Sequence, residues 1–212
     1  MDNFFFDFDN TLADPSNVAV LATQRAYAAK GLVTPTREAI VGYMGVPIEV
    51  SFAKMATVSL DDVALEDLFT EFRQQYRRAE TTGITLFEGM ATTIAELNRR
   101  GKRLYVVSSK NSVPLQRNLD QVGLGQSFAA ISGSDMVDHY KPAPDGVLNL
   151  LRQFNLETQH SVMIGDAKYD IRMGHNAGVA TAGAMWGAAD PASVKAEKPT
   201  YLLDAPAELL DL

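Results

Sequence analysis

The chain contains no cysteine, which excludes disulfides, thiolate zinc sites and cysteine nucleophiles together. It is poor in histidine as well. His139, His160 and His175 are scattered without ligand spacing, so surface or core roles are expected of them. Positive charge is the minority: 19 lysines and arginines face 26 acids, for a net charge of −7. A field of that sign repels nucleic acid and leaves no basic footprint. It also slows an anionic substrate, so any phosphate site here must carry its own local positive charge. No apolar run nears the roughly 18 residues a membrane span needs. Residues 1–7 show no basic leader, and their apolar run is too short for a signal peptide. The default expectation is a cytoplasmic protein, monomer or homodimer, with neither nucleic acid nor membrane as partner.

What is present is ordinary in composition, 46% hydrophobic and 21% charged, as in soluble globular proteins. At 212 residues the chain is long for one simple domain. Residues 3–8 predict a short buried strand that opens into the polar turn Asp9, Asn10, Thr11. Residues 14–82 then read as almost entirely helical, with helices predicted over 18–30, 36–43, 48–56 and 60–79. Gly31 ends the first and Thr36 caps the second. In the last, Val63, Leu65, Leu68, Phe69, Phe72 and Tyr76 recur at helical spacing. After Gly83 the pattern changes to alternation. Helices are predicted over 90–100, 113–122, 145–154 and 170–177, between apolar strands over 103–108, 129–132, 161–164 and 179–184. Such alternation signals a parallel sheet covered on both faces. The expected fold class is therefore α/β: a doubly wound core from residues 1–13 and 83–212, with an all-helical domain, 14–82, inserted after the first strand.

In doubly wound sheets, ligands bind beyond the carboxyl ends of the strands. The first strand ends in Asp7 and Asp9, and the second in Ser108, Ser109 and Lys110. A later strand ends in Gly165 and Asp166, with Asp170 four residues on, and Lys141 precedes Pro142 in between. Asp7, Asp9, Asp166 and Asp170 would repel one another unless a cation offset them. An all-oxygen set completed by substrate phosphate favours Mg²⁺. Ser108 and the backbone amides of the 7–10 turn are candidate donors to phosphoryl oxygens.

Plainer roles stand beside these. Asp7 and Asp9 are also suited to capping a loop, and Asp166 and Asp170 to being an N-cap and a first-turn acid. Trp186 reads as packing beside the site. Asp61, Asp62, Glu66 and Asp67, like Arg73, Arg77 and Arg78, read as solvated helix faces.

Taken in order along the chain, these motifs resemble the haloacid dehalogenase-like superfamily. The DxDxT motif is Asp7-Phe8-Asp9-Asn10-Thr11, the second-motif hydroxyl is Ser108, the third-motif lysine is Lys141, and GDxxxD runs from Gly165 and Asp166 to Asp170. The helical insertion matches the cap of one branch, and the overall pattern is most similar to phosphoglycolate phosphatase-type members. The resemblance implies a Rossmann-like core and a phosphatase in which Asp7 attacks phosphorus, forming an aspartyl-phosphate, and Asp9 is the general acid and base. It implies that Mg²⁺ is held by Asp7, the Asp9 carbonyl and Asp166, with Asp170 in the outer shell. Ser108 and Lys141 would stabilise the transferring group. Thr11, Ser109, Tyr43, Met44 and Gly45 are the candidate substrate-binding residues, and Arg37 and Lys54 possible anion partners. An acid at Asp9 favours phosphoryl transfer over dehalogenation. The substrate expected is a small phosphomonoester, such as a phosphoglycolate-like compound or a sugar phosphate. A β-phosphoglucomutase-like mutase remains an alternative. So does a phosphonate hydrolase, which would need Lys30 or Lys54 as its Schiff base, and so does a non-catalytic scaffold. Departures from the family pattern are Asn10 in place of the commoner glycine, Ser109 in place of asparagine, and Glu88 in place of proline.

Overall fold

The computed structural model describes residues 1–43 and 48–212. The chain divides into two compact units, one of Met1–Asp14 with Thr85–Leu212 and one of Pro15–Ile84.

The first unit is built on a six-stranded parallel sheet. Its strands are β1 (Asn3–Phe6), β4 (Arg103–Val107), β5 (Ala130–Ser132), β6 (Ser161–Gly165), β7 (Ala180–Ala184) and β8 (Tyr201–Leu203). Their order is β5-β4-β1-β6-β7-β8, which places β1 between β4 and β6, with Phe6 opposite both Val106 and Ile164. Phe4, Phe5 and Phe6 are all buried, which explains an apolar run without alternation: both faces of the strand are covered. Helices α5 (Met90–Arg99), α6 (Ser112–Gln121), α7 (Asp145–Gln153), α8 (Lys168–Ala177) and α9 (Pro191–Ala196) connect the strands. One core cluster joins Phe5, Tyr105, Val147, Leu150, Met163 and Met173 across β1, β4, β6, α7 and α8.

Two features of this unit lie outside the sequence expectations. A two-residue antiparallel pair, β2 (Ala13–Asp14) with β3 (Thr85–Leu86), forms where the chain leaves and re-enters the unit; elements that short have no period to read. The first strand also stops at Phe6 instead of running to residue 8. Phe8 instead turns its carbonyl to accept from the amides of Leu12 and Ala13.

The second unit comprises α1 (Ser16–Ala29), α2 (Arg37–Gly42), α3 (Ile48–Met55) and α4 (Asp62–Gly83). Thr36 caps α2, its side chain accepting from the Ala39 amide at 3.2 Å. Helix α4 starts later and runs further than the apolar spacing suggests, because its boundaries are polar. Asp61, exposed as expected, is also its N-cap, accepting from the Ala64 amide at 2.8 Å. The interior of this unit is aromatic: Ala26, Tyr27, Phe52, Leu68 and Phe69 bury against one another. The Tyr27 hydroxyl donates to the Phe52 carbonyl at 2.6 Å. Among the described residues no helix is long and apolar enough to cross a membrane.

Candidate active site

The chain leaves β1 through a tightly tied turn. The Asp7 amide still donates to Ile164 O at 2.9 Å, and the Asn10 amide donates to Ala13 O at 2.8 Å. The expected phosphoryl donors of this turn thus narrow to the amides of Phe8 and Asp9. Asn10 sits at φ 61, a left-handed conformation that asparagine tolerates better than other non-glycine residues. The segment after β7 braces the turn from outside. Trp186 Nε1 donates to Thr11 O at 2.9 Å. Gly187 lies so close that an added Cβ would run into the Asn10 carbonyl.

Three carboxylates meet beyond β1 and β6. Asp7, Asp166 and Asp170 each offer an oxygen within 4.8 Å of the others, and all three are buried. Asp7 follows β1 and Asp166 follows β6, its parallel neighbour, where Phe6 lies opposite Ile164, so both leave the sheet at the same edge, one residue out of step. Asp170 reaches the same point from the first turn of α8, its Oδ2 accepting from the Ala167 amide at 3.1 Å. Ala167, not Asp166, therefore occupies the N-cap position. Gly165 makes the approach possible: a Cβ there would collide with the side chain of Asp170. Thr11 is wholly buried and donates to Asp166 Oδ1 at 3.0 Å. Its hydroxyl thereby orients a carboxylate of the cluster.

Lys141 completes the cluster, donating to Asp7 Oδ1 and Asp170 Oδ1 at 2.7 Å each, with its side chain 9% exposed. Burial pushes the Asp7 carboxyl up to about 7; Lys141 opposes the rise, while Asp170 and Asp9 add to it. Asp166 is raised too, by burial first and then by Asp7 and Asp170. Burial works against the charge on Lys141, but Asp170 and Asp7 outweigh it and hold the lysine protonated. Three buried carboxylates against one lysine leave a negative excess in an all-oxygen pocket. That donor set fits a hard divalent cation.

Asp9 stands apart from this group. Its Oδ1 accepts from Lys110 Nζ at 3.0 Å. Ser108, buried at the end of β4, accepts at Oγ from the Lys110 amide at 3.1 Å, and Ser109 is exposed. Ser108, Ser109 and Lys141 line a small open recess, with Ser132, Gly133 and His139 on its other walls. In the helical unit Tyr43 is half-buried at the end of α2, and Arg37 donates to Asn17 Oδ1 at 3.0 Å. Lys54 is exposed, and Lys30 pairs with Asp67 at 2.8 Å. Met44 and Gly45 lie outside the described residues.

Sequence reasoning gave no role to Lys110, Asn118 or Gly187. Lys110 comes beside Asp9 because β1 and β4 are parallel neighbours in register, a fact that becomes visible only once the strand order is known.

A doubly wound sheet with a carboxylate turn after its central strand, a buried lysine and an oxygen-rich acidic pocket is the arrangement of one class of hydrolases. The chain belongs to the haloacid dehalogenase-like hydrolase family, whose model matches residues 4–184. It is 28% identical over 199 residues to a pyrophosphatase, PpaX, of Oceanobacillus iheyensis, covering 94% of this chain and 90% of that protein. A haloacid dehalogenase-like family hydrolase from Streptococcus pneumoniae superposes with a TM-score of 0.86 at 24% identity, covering 100% of this chain and 97% of that one. A protein described as a predicted phosphoglycolate phosphatase, from Haemophilus somnus, gives 0.89 at 23% identity over the same shares.

Proposed function

We propose that the protein is a Mg²⁺-dependent phosphatase of small phosphomonoesters, working through an aspartyl-phosphate on Asp7. The observation that carries this reading is the setting of Asp7: a buried carboxylate at the end of the central strand, 2.7 Å from Lys141, and beside two further carboxylates. Asp7 attacks phosphorus and forms the new O–P bond. The ester P–O bond breaks, its electron pair goes to the leaving oxygen, and Asp9 gives that oxygen a proton. In the second half Asp9 takes a proton from water as the water oxygen attacks phosphorus, which frees Asp7 and releases inorganic phosphate. Lys141 and Ser108 are the proposed donors to the phosphoryl oxygens. Asp7, the Asp9 carbonyl and Asp166 would hold the cation, with Asp170 behind them, and the cation would supply charge neutralisation for the phosphoryl group and its nucleophile.

Residues 15–84 are proposed as the cap that selects the substrate, with Tyr43 as a contact. The kinship with a protein named as a pyrophosphatase puts pyrophosphate on the test panel beside phosphoglycolate and sugar phosphates.

The test is phosphate release from that panel, with and without Mg²⁺, run beside Asp7→Asn. Wild type should release phosphate from at least one ester, and the variant should lose at least about 10⁴-fold. Equal rates in the two proteins would overturn the assignment of the nucleophile. Interconversion of sugar phosphates without phosphate release would identify a mutase.

A further inference from the structure

A general acid must present one oxygen along the line to the leaving group, yet Asp9 is 32% exposed on a turn. Two torsions would let such a side chain visit several wells. The structure supplies a clamp. Lys110 Nζ donates to Asp9 Oδ1 at 3.0 Å and to Asn118 Oδ1 at 2.9 Å. The same ammonium lies 4.9 Å from the centre of the Phe8 ring. At its other end, the Lys110 backbone amide donates to Ser108 Oγ. Asn118 is fully buried on α6, and the Lys110 side chain is only 13% exposed. A lysine is ordinarily a flexible point charge. Here it is held at both ends and along its length, unlike a solvated surface ion pair.

We infer that Lys110, anchored by Asn118, is a positioning residue that fixes Asp9 by its Oδ1 and leaves Oδ2 to exchange the proton. This rests on the proposed role of Asp9 as general acid. Lys110 touches no reacting atom in this scheme and acts through Asp9. Its loss should therefore appear in proton delivery to the leaving oxygen and spare the attack of Asp7. It predicts a dependence on leaving group: esters of acidic phenols, which leave without help, should be little affected, and esters of basic phenols should suffer.

The experiment measures kcat/KM for a series of aryl phosphates, from 4-nitrophenyl to phenyl phosphate, in wild type, Asp9→Asn, Lys110→Met, Lys110→Arg and Asn118→Leu. Lys110→Met should stay within about threefold of wild type on the 4-nitrophenyl ester and fall roughly 10²-fold on phenyl phosphate. Asp9→Asn should show the same steepening in fuller form. Lys110→Arg should recover part of the loss, and Asn118→Leu should reproduce a weaker version of it. A uniform loss across the series in Lys110→Met, or none, while Asp9→Asn steepens, would overturn the inference and leave Asp9 as the acid. If Asp9→Asn itself showed no steepening, the acid assignment would fall and this inference with it. Should Lys110→Met fail to fold, the arginine and Asn118 variants decide: a leaving-group slope unchanged from wild type in Asn118→Leu would also overturn it.

Discussion

Each of the two units of this chain is built by its own means, one on strand register and one on helix packing, and they expose their purpose to different degrees. In the strand-built unit, side chains of consequence sit where backbone register puts them. Asp7 and Asp166 follow neighbouring strand ends, and Asp170 is drawn in over a glycine. In the helical unit Ala26, Tyr27, Leu68 and Phe69 bury in one cluster with Phe52. Periodicity marks which helix faces are apolar, but an apolar face reads the same whether it packs inward or meets a ligand. Topology thus fixes where the reaction chemistry lies. Substrate choice, here proposed to depend on helix-borne surface, has no such anchor in the pattern.

The sharpest way to break this contrast is at the lysine. Lys141→Met leaves Asp7 and Asp170 buried without their cation partner. Stranding buried carboxylates should destabilise the first unit by about 4 kcal/mol at neutral pH, and activity should vanish. The pH dependence has a definite sign. The folded-state pKa of Asp7 is raised to about 7, so its contribution is fully present below the unfolded value near 4 and is lost as pH rises through about 7. Removing the lysine takes away the group that holds the Asp7 value down, so the deficit should grow from pH 5 to pH 8. Urea unfolding followed by tryptophan fluorescence measures it, because the single tryptophan, Trp186, lies in this unit. A pH-independent deficit would mean that Lys141 acts by packing alone.

The matching cut in the helical unit is Phe52→Ala. Phe52 touches Tyr27, Phe69 and Phe72, with ring centroids 5.7, 5.8 and 5.0 Å away. Emptying that position should destabilise its unit by about 3 kcal/mol. Helical circular dichroism should register an earlier transition while the Trp186 signal moves much less. If both signals shifted together, the two units would unfold as one and the contrast would be lost.

Legibility in the sequence follows the same division. The doubly wound sheet and inserted helical region were readable because buried parallel strands are apolar throughout and three of the helices between them, α5, α6 and α8, stop at Gly101, Gly123 and Gly178. The grouping of Asp7, Asp166, Asp170 and Lys141 was suggested by motif order, and the structure brings these four together. The pairing of Lys110 with Asp9 was hidden, since it joins residues 101 positions apart through a strand order that no single segment encodes. Gly187 was equally silent: its importance is a missing Cβ against a backbone carbonyl, which leaves no trace in hydropathy. In the helical unit spacing marked Leu68, Phe69 and Phe72, which pack in or against the core, but it also marked Val63, which is exposed, and it did not single out Tyr27 or Phe52. The start of α4 was not, because Asp61 looks like any exposed acid until its carboxylate is seen on the Ala64 amide.

The smallest expected effect comes from a pair of tyrosines, one in each unit. Tyr27 and Tyr105 are both fully buried, so their apolar bodies contribute alike. Their hydroxyls differ. Tyr27 donates to the Phe52 carbonyl at 2.6 Å, whereas the Tyr105 hydroxyl has no hydrogen-bond partner among the described residues. Tyr27→Phe removes a made bond and leaves a carbonyl behind, at a cost of about 1 kcal/mol; Tyr105→Phe removes an unsatisfied group and should be neutral or stabilising by a few tenths, on the order of 0.5 kcal/mol. Alkaline titration adds a second discriminator. Burial pushes the Tyr27 hydroxyl up to about 12, so its stabilisation is whole below the unfolded value near 10 and is lost as pH rises through about 12. Wild type should therefore lose helical signal stability across that window more steeply than Tyr27→Phe, as measured by denaturant midpoints at pH 9 and 11. Equal slopes in the two proteins would mean that Tyr27 is already ionised or solvated in the folded unit, and that its bond to Phe52 contributes nothing to holding α1 against α3.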